Sequence, residues 1–135
     1  MDCLALDFVQ KMLQQAMDKA KADYGKPICV AISDQAGELI GFVKMDGAPL
    51  RSIQISQRKA YTAARICVTT GAFMERLQRE KILASDFDPN YSGLPGGTPL
   101  KNKEGKIIGA IGISGLAASE DQAITDFVAG IVAAA

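Results

Sequence analysis

The chain has 135 residues, 15 basic and 15 acidic side chains, 48% hydrophobic residues, and neither His nor Trp. That length supports one core, residues 1–135 as a single domain, and the balanced charge offers no global field for nucleic acid or anionic lipid. The missing imidazole excludes Ser-His and Cys-His nucleophile pairs, His-ligated haem and His-containing zinc sites, so any chemistry falls to Lys, Arg, Tyr, Asp, Glu, Cys or the backbone.

From Leu4 to Ala20 the apolar residues Leu4, Phe8, Val9, Met12, Leu13, Ala16, Met17 and Ala20 recur at steps of three and four, which predicts an amphipathic helix. Gly25 and Pro27 end it. Ile28–Ile32 is a short β-branched run, Ser33–Gly37 supplies turn chemistry, and Glu38–Met45 follows as a second strand, so this stretch predicts a hairpin. A helix from about Leu50 to Thr69 is expected to bury Ile53, Ala60, Ala64, Cys67 and Val68, its alanines allowing close packing. Gly71 is expected to break it. Phe73–Leu83 reads as a further helix with a solvated charged face.

Residues 85–99 (SDFDPNYSGLPGGTP) exclude regular helix and form a candidate binding loop. Leu100 leads through a polar hairpin tip at 101–105 into a strand at 106–114, whose glycines fit no dinucleotide fingerprint and mark a bulge or a close backbone approach. In the last helix, Ser119 with Gln122 suggests a capping box, Glu120 and Asp121 suit the positive end of the dipole, and Ala123, Ile124, Phe127, Val128, Ile131 and Val132 form the expected buried stripe. Two hairpins interleaved with helices give an α+β domain with a largely antiparallel sheet. Cys3, Cys29 and Cys67 show no CxxC spacing, so they are read as reduced cytosolic thiols, Cys29 and Cys67 as small buried hydrophobes. No leader or membrane-spanning run is visible, and the expected location is cytoplasmic, with no membrane partner and no metal.

Four spaced motifs, SDQAGELIGFVKMDGA at 33–48, SQRKAYTAA at 56–64, LPGGTPL at 94–100 and GKIIGAIGISGLAASEDQAI at 105–124, resemble the GlcG/HbpS-like family of haem-degrading domains, related to the C-terminal domain of PduO-type cobalamin adenosyltransferases. The resemblance covers nearly the whole chain. It implies a profilin-like fold with a five-stranded antiparallel sheet, assembly into homo-oligomers, and haem or a corrinoid as candidate cofactor. It also marks Lys59, Thr62, Gly96, Gly97, Thr98, Pro99, Gly109, Gly112, Ser114, Gly115, Glu120 and Asp121 as signature positions.

Lys59, on an Ala-rich helix, could be desolvated and bind an anion or move a proton, or could be an ordinary solvent-facing lysine. Gly96, Gly97 and Thr98 could present bare amides as an anion-binding concavity, or simply turn the chain. Glu120 and Asp121 could act as carboxylates or cap the helix. Tyr61, Arg51 and Arg65 could add a ring surface and anion clamps, although Arg51, Arg58 and Arg65 equally describe an exposed stripe. Three functions follow. The first is a small-molecule-binding accessory protein holding an anionic or planar ligand near the Gly-Gly loop. The second is a cofactor-independent lyase or isomerase acting on a small carboxylate through Lys59 with Tyr61 or Glu120, and the third is a non-catalytic oligomerising module. On the first reading Lys59 and the Gly96–Thr98 loop share one anion site, so Lys59→Met should weaken binding and leave the fold intact.

Overall fold

In the computed structural model, which describes residues 1–135, the apolar stripe of the N-terminal segment forms α1 (Leu6–Asp23) and buries Val9, Met12, Leu13, Ala16 and Ala20. Gly25, at φ 63°, closes that helix by donating its amide to the carbonyls of Ala20 and Lys21 at 2.9 and 3.2 Å. The chain then runs through β1 (Cys29–Asp34), β2 (Leu39–Lys44), α2 (Arg51–Ile66), α3 (Thr70–Glu80), a 3-10 turn at Ala84–Asp86, β3 (Gly97–Lys101), β4 (Ile107–Ser114) and α4 (Ala118–Ala134). The strands form one antiparallel sheet in the order β2-β1-β4-β3. No helix is long and apolar enough to cross a membrane.

The sheet has four strands, which corrects the expected five. All the β-patterned sequence is used by the two hairpins, and the remaining non-helical stretch, 81–96, carries Pro89, Pro95 and a run of turn formers that cannot sustain a ladder.

The two faces of the sheet differ in side-chain size, and the β1–β4 register shows why. Val30 lies opposite Ile113 and Ile32 opposite Ile111, while Ala31 lies opposite Gly112 and Ser33 opposite Ala110. Residues directly opposite share a face. The large set joins α1 and α4 in the main core with Val9, Ile124, Val128 and Val132. The small set receives α2, so closely that a Cβ on Gly112 would collide with the Ser56 carbonyl, and one on Gly97 would lie 2.6 Å from the Lys59 carbonyl oxygen.

Ala60 and Ala64 are buried as expected, but this close approach turns the rest of the α2 face. Its buried residues are Ser52, Ser56, Lys59, Ala60, Thr62, Ala63 and Ala64, while Ile53 is only half-buried. The helix ends at Ile66, and Cys67 follows in the left-handed region at φ 63°. Cys67 and Val68 are therefore exposed, a correction to their expected burial, whereas Cys29 is enclosed in β1. Burial pushes the Cys29 thiol above its usual pKa, against the opposing pull of Lys44. Gly71 breaks nothing. The interruption comes before it, and α3 starts from a Thr69 cap whose Oγ1 accepts from the Ala72 amide at 3.0 Å.

In α4 the first turn starts earlier than the sequence suggests. Ala117 is the cap residue and Glu120 Oε1 accepts from its amide at 3.1 Å, so Ser119 does not play the expected part. Ile124, Val128 and Val132 are buried as read, but Ala123 is exposed and Phe127 lies under the Lys19 ammonium at 4.5 Å.

Candidate functional site

Lys59 has a face of α2 that the sheet closes over completely, and the side chain is 2% exposed. Its ammonium donates to the Ile113 carbonyl at 2.8 Å and to Asp121 Oδ2 at 3.2 Å. Asp121 comes from the first turn of α4, 62 residues away, and its other oxygen accepts from the Leu116 amide at 3.2 Å. Burial lowers the Lys59 pKa, with Asp121 pulling it back up. Burial likewise raises the Asp121 carboxyl, with Lys59 pulling it back down. The pair is dry, and each charge is tolerable only beside the other.

A cleft of about 150 Å³ opens over this pair. Arg51 and Ser52 line it from the start of α2, Ser114 and Gly115 from the end of β4, Ala118 and Asp121 from the start of α4, and Leu94 from the long loop. The Ser114 hydroxyl donates to Ser52 Oγ at 3.1 Å. Gly115, at φ 136°, makes the turn possible, because a Cβ there would sit 2.8 Å from the Pro27 carbonyl oxygen. The N-terminal ends of two helices thus open on one small cleft that also carries an exposed guanidinium. The α4 end is already capped by Glu120 and Asp121, and Asp121 is paired with Lys59, so Arg51 is the one charge lining the cleft without a carboxylate partner.

The Gly-Gly loop lies directly behind Lys59, where a Cβ on Gly96 would be 2.7 Å from the ammonium nitrogen. Its amides are not bare, however. Gly96 N–H donates to Gln122 Oε1 at 2.8 Å and Gly97 N–H to Thr70 Oγ1 at 2.8 Å. Thr98 turns to the opposite face of the sheet and bonds Thr125 and Asp126 on α4 at 2.8 and 2.7 Å. The expected concavity is therefore closed by side chains of the same chain, and Asp121 takes the place next to Lys59 that a ligand carboxylate was expected to fill.

The other candidates are placed apart. Thr62 Oγ1 donates to the Arg58 carbonyl at 2.7 Å and accepts from the Ser92 amide at 2.8 Å, tying the long loop to α2. Tyr61 lies away from the Lys59 cleft, donating to Asp88 Oδ2 at 2.7 Å under the Arg65 guanidinium. That hydrogen bond holds the Tyr61 proton and raises its pKa, and it lowers that of Asp88. Glu120 caps α4. Lys59 therefore meets neither Tyr61 nor Glu120, and Arg51, Arg58 and Arg65 serve three separate surroundings.

Two residues were missed. Ser52 shares the Lys59 face at a spacing of seven, which a search outward from Lys59 would have found. Gln122, read from the sequence as part of a cap, instead clamps the Gly-Gly loop through Gly96, Gly97 and Thr98, and nothing local in the sequence marks that. No group of three acidic or thiol side chains lies close enough to hold a metal.

A model of the family described as haem degrading protein HbpS-like matches residues 4–129. The chain belongs to that family. Among curated relatives, protein GlcG of Escherichia coli K12 is 33% identical over 87 residues, which cover 64% of this chain and 63% of GlcG. An uncharacterized 15.0 kDa protein encoded between dhaT and dhaS in Citrobacter freundii is 28% identical over 119 residues, covering 86% of this chain and 83% of that protein. Among solved structures, a double mutant of HbpS from Streptomyces reticuli superposes at TM-score 0.87 with 26% identity, covering 98% of this chain and 88% of its own. PduOC in complex with haem shares the fold at TM-score 0.81 and 23% identity, covering 95% and 94%.

The cleft over Lys59 does not suit a tetrapyrrole. Its volume of about 150 Å³ is below the roughly 300–1,000 Å³ of ordinary small-molecule pockets. Every buried side-chain nitrogen and oxygen of the chain has a hydrogen-bond partner.

Proposed function

We propose that this HbpS-like chain is a binding protein for a small carboxylate, held in the cleft between the starts of α2 and α4. The observation that carries the reading is the convergence of two helix N-terminal ends and Arg51 on the Ser52–Ser114 hydroxyl pair, above a Lys59–Asp121 pair that cancels its own charge. Such a site attracts one negative group, offers hydroxyl partners, and excludes anything large. Arg51 binds the carboxylate, Ser52 and Ser114 orient it, and Lys59 with Asp121 keeps the floor rigid. Gly96 and Gly97 support that floor from behind, while Thr62 and Thr98 hold neighbouring parts of the fold.

Calorimetric titration with two- to four-carbon carboxylates tests this. At least one should bind, and Arg51→Gln should weaken it by about tenfold or more, the loss expected for a charge-assisted hydrogen bond. Absence of binding across the series, or indifference to Arg51→Gln, overturns the reading.

A second reading keeps haem, at a different place. A groove of about 510 Å³ runs past Cys67, Val68, Ala72, Pro99 and Ala129, with Lys101 beside it. Its lining is mainly apolar, its thiol is exposed, and a lysine is available for a propionate, which fits the chemistry of a thiolate-held haem. Haem titration should then give weak binding without a bis-nitrogen low-spin spectrum, and Cys67→Ser should remove it. A stoichiometric low-spin complex unaffected by Cys67→Ser counts against this placement.

A further inference from the structure

A second cavity lies on the outer side of α2, away from Lys59. It measures about 250 Å³ and is bounded by the β1–β2 turn, α2 and Asn90 of the long loop. Its polar lining includes Gln54, Gln57, Arg58 and Asn90, with no acidic side chain among them. The chain's ion pairs are Lys19–Asp23, Lys59–Asp121 and Arg76–Glu80, so the Arg58 guanidinium has no carboxylate partner. The Gln54 and Asn90 carboxamides likewise make no hydrogen bond within the chain, although each presents two donors and an acceptor.

The walls of this cavity are fixed. Gly37, at φ 91°, brings the β1–β2 turn onto the Tyr61 ring so closely that a Cβ would lie 2.9 Å from Tyr61 Cδ1. Tyr61 donates to one oxygen of Asp88 at 2.7 Å, and the other accepts from the Asn90 amide at 2.8 Å. The phenol thereby holds the loop that carries Asn90. The turn and the loop are held in place, and the Arg58 cation and the Gln54 and Asn90 carboxamides between them make no bond within the chain.

We propose that this cavity is a binding site for a small hydroxylated monocarboxylate, distinct from the cleft over Lys59. The guanidinium takes the carboxylate, and the carboxamides of Gln54 and Asn90 exchange hydrogen bonds with the hydroxyls. A purely apolar acid gains nothing from those exposed amides, which stay hydrated, and a neutral polyol gains nothing from the Arg58 charge.

The test uses gluconate as probe, with glucose and butyrate as comparisons, followed by NMR on the full chain. Gluconate should shift the side-chain amide resonances of Gln54 and Asn90 at millimolar concentration, with glucose and butyrate binding more weakly. Arg58→Gln should weaken gluconate by about tenfold, while Arg79→Met on the exposed face of α3 changes nothing. No shift with gluconate overturns the proposal. So does a shift confined to Leu116 and Ala118 beside the other cleft, an affinity indifferent to Arg58→Gln, or equal binding of butyrate. Because the readout is assigned to particular amides, failure here is separate from failure at Arg51.

Discussion

Lys59 and Asp121 are the two residues whose replacement tells most, because each leaves an uncompensated charge in a dry site. Removing either alone should cost about 3–5 kcal/mol by thermal or chemical denaturation, so the expectation that Lys59→Met spares the fold gives way. The double variant Lys59→Met with Asp121→Asn should cost clearly less than the sum, since no buried charge is then stranded. The two single variants should also respond to pH in opposite directions. In Asp121→Asn the lysine loses the partner that raises its pKa, so its folded value falls further below the ordinary 10.5. Between those values the unfolded chain binds a proton that the folded chain does not, and stability rises as pH climbs towards the ordinary lysine value. In Lys59→Met the Asp121 carboxyl rises further above its ordinary 3.8, the folded state holds the extra proton, and stability falls as pH climbs upward from 3.8. Melting curves across pH check both, and parallel slopes would refute the pairing.

Among the elements, the contact of α2 with the sheet depends on residues that are almost absent. Gly112 faces the Ser56 carbonyl and the Ala60 amide, both backbone, so Gly112→Ala should destabilise by about 1–3 kcal/mol or more. Gly130, exposed in α4 with nothing near its would-be Cβ, should behave oppositely, and Gly130→Ala should stabilise by about 0.5–1 kcal/mol. Equal effects at the two positions would show that the close approach does not matter. This contact also marks where sequence reading stops. The stripe of α1 and the β-branched runs of β1 and β4 were legible because their periods match a water-facing and a core-facing side. The face of α2 was not, because serine, alanine and one lysine are buried there while Ile53 stays half outside. Gly112 signalled a close backbone approach without saying which element approaches. Lys59 and Asp121 were both singled out, yet their pairing spans 62 residues and belongs to topology, which no local spacing records.

For the whole molecule, the alanine content that allows close packing is consumed inside one subunit, where Ala63, Ala64 and Ala110 pack together. A different feature now supports association. Leu6, Leu50 and Leu83 are each more than 60% exposed, and the edge strand β2 shows Leu39 and Ile40 at 48% and 37%. A short apolar edge with unpaired backbone groups and no charged side chain between Leu39 and Val43 is open to pairing with another strand, and a second copy of the chain offers the same edge in antiparallel sense. Sedimentation at micromolar concentration should therefore show an oligomer. Ile40→Lys places a charge on that edge, which isolated sheets tolerate well and a paired edge does not, so it should shift the population towards monomer without lowering the cooperativity of unfolding. A wild-type chain that sediments as a clean monomer would remove the argument altogether. An oligomer unmoved by Ile40→Lys would instead direct attention to exposed Leu94 in the cleft lining, and would tie assembly to the carboxylate site it borders.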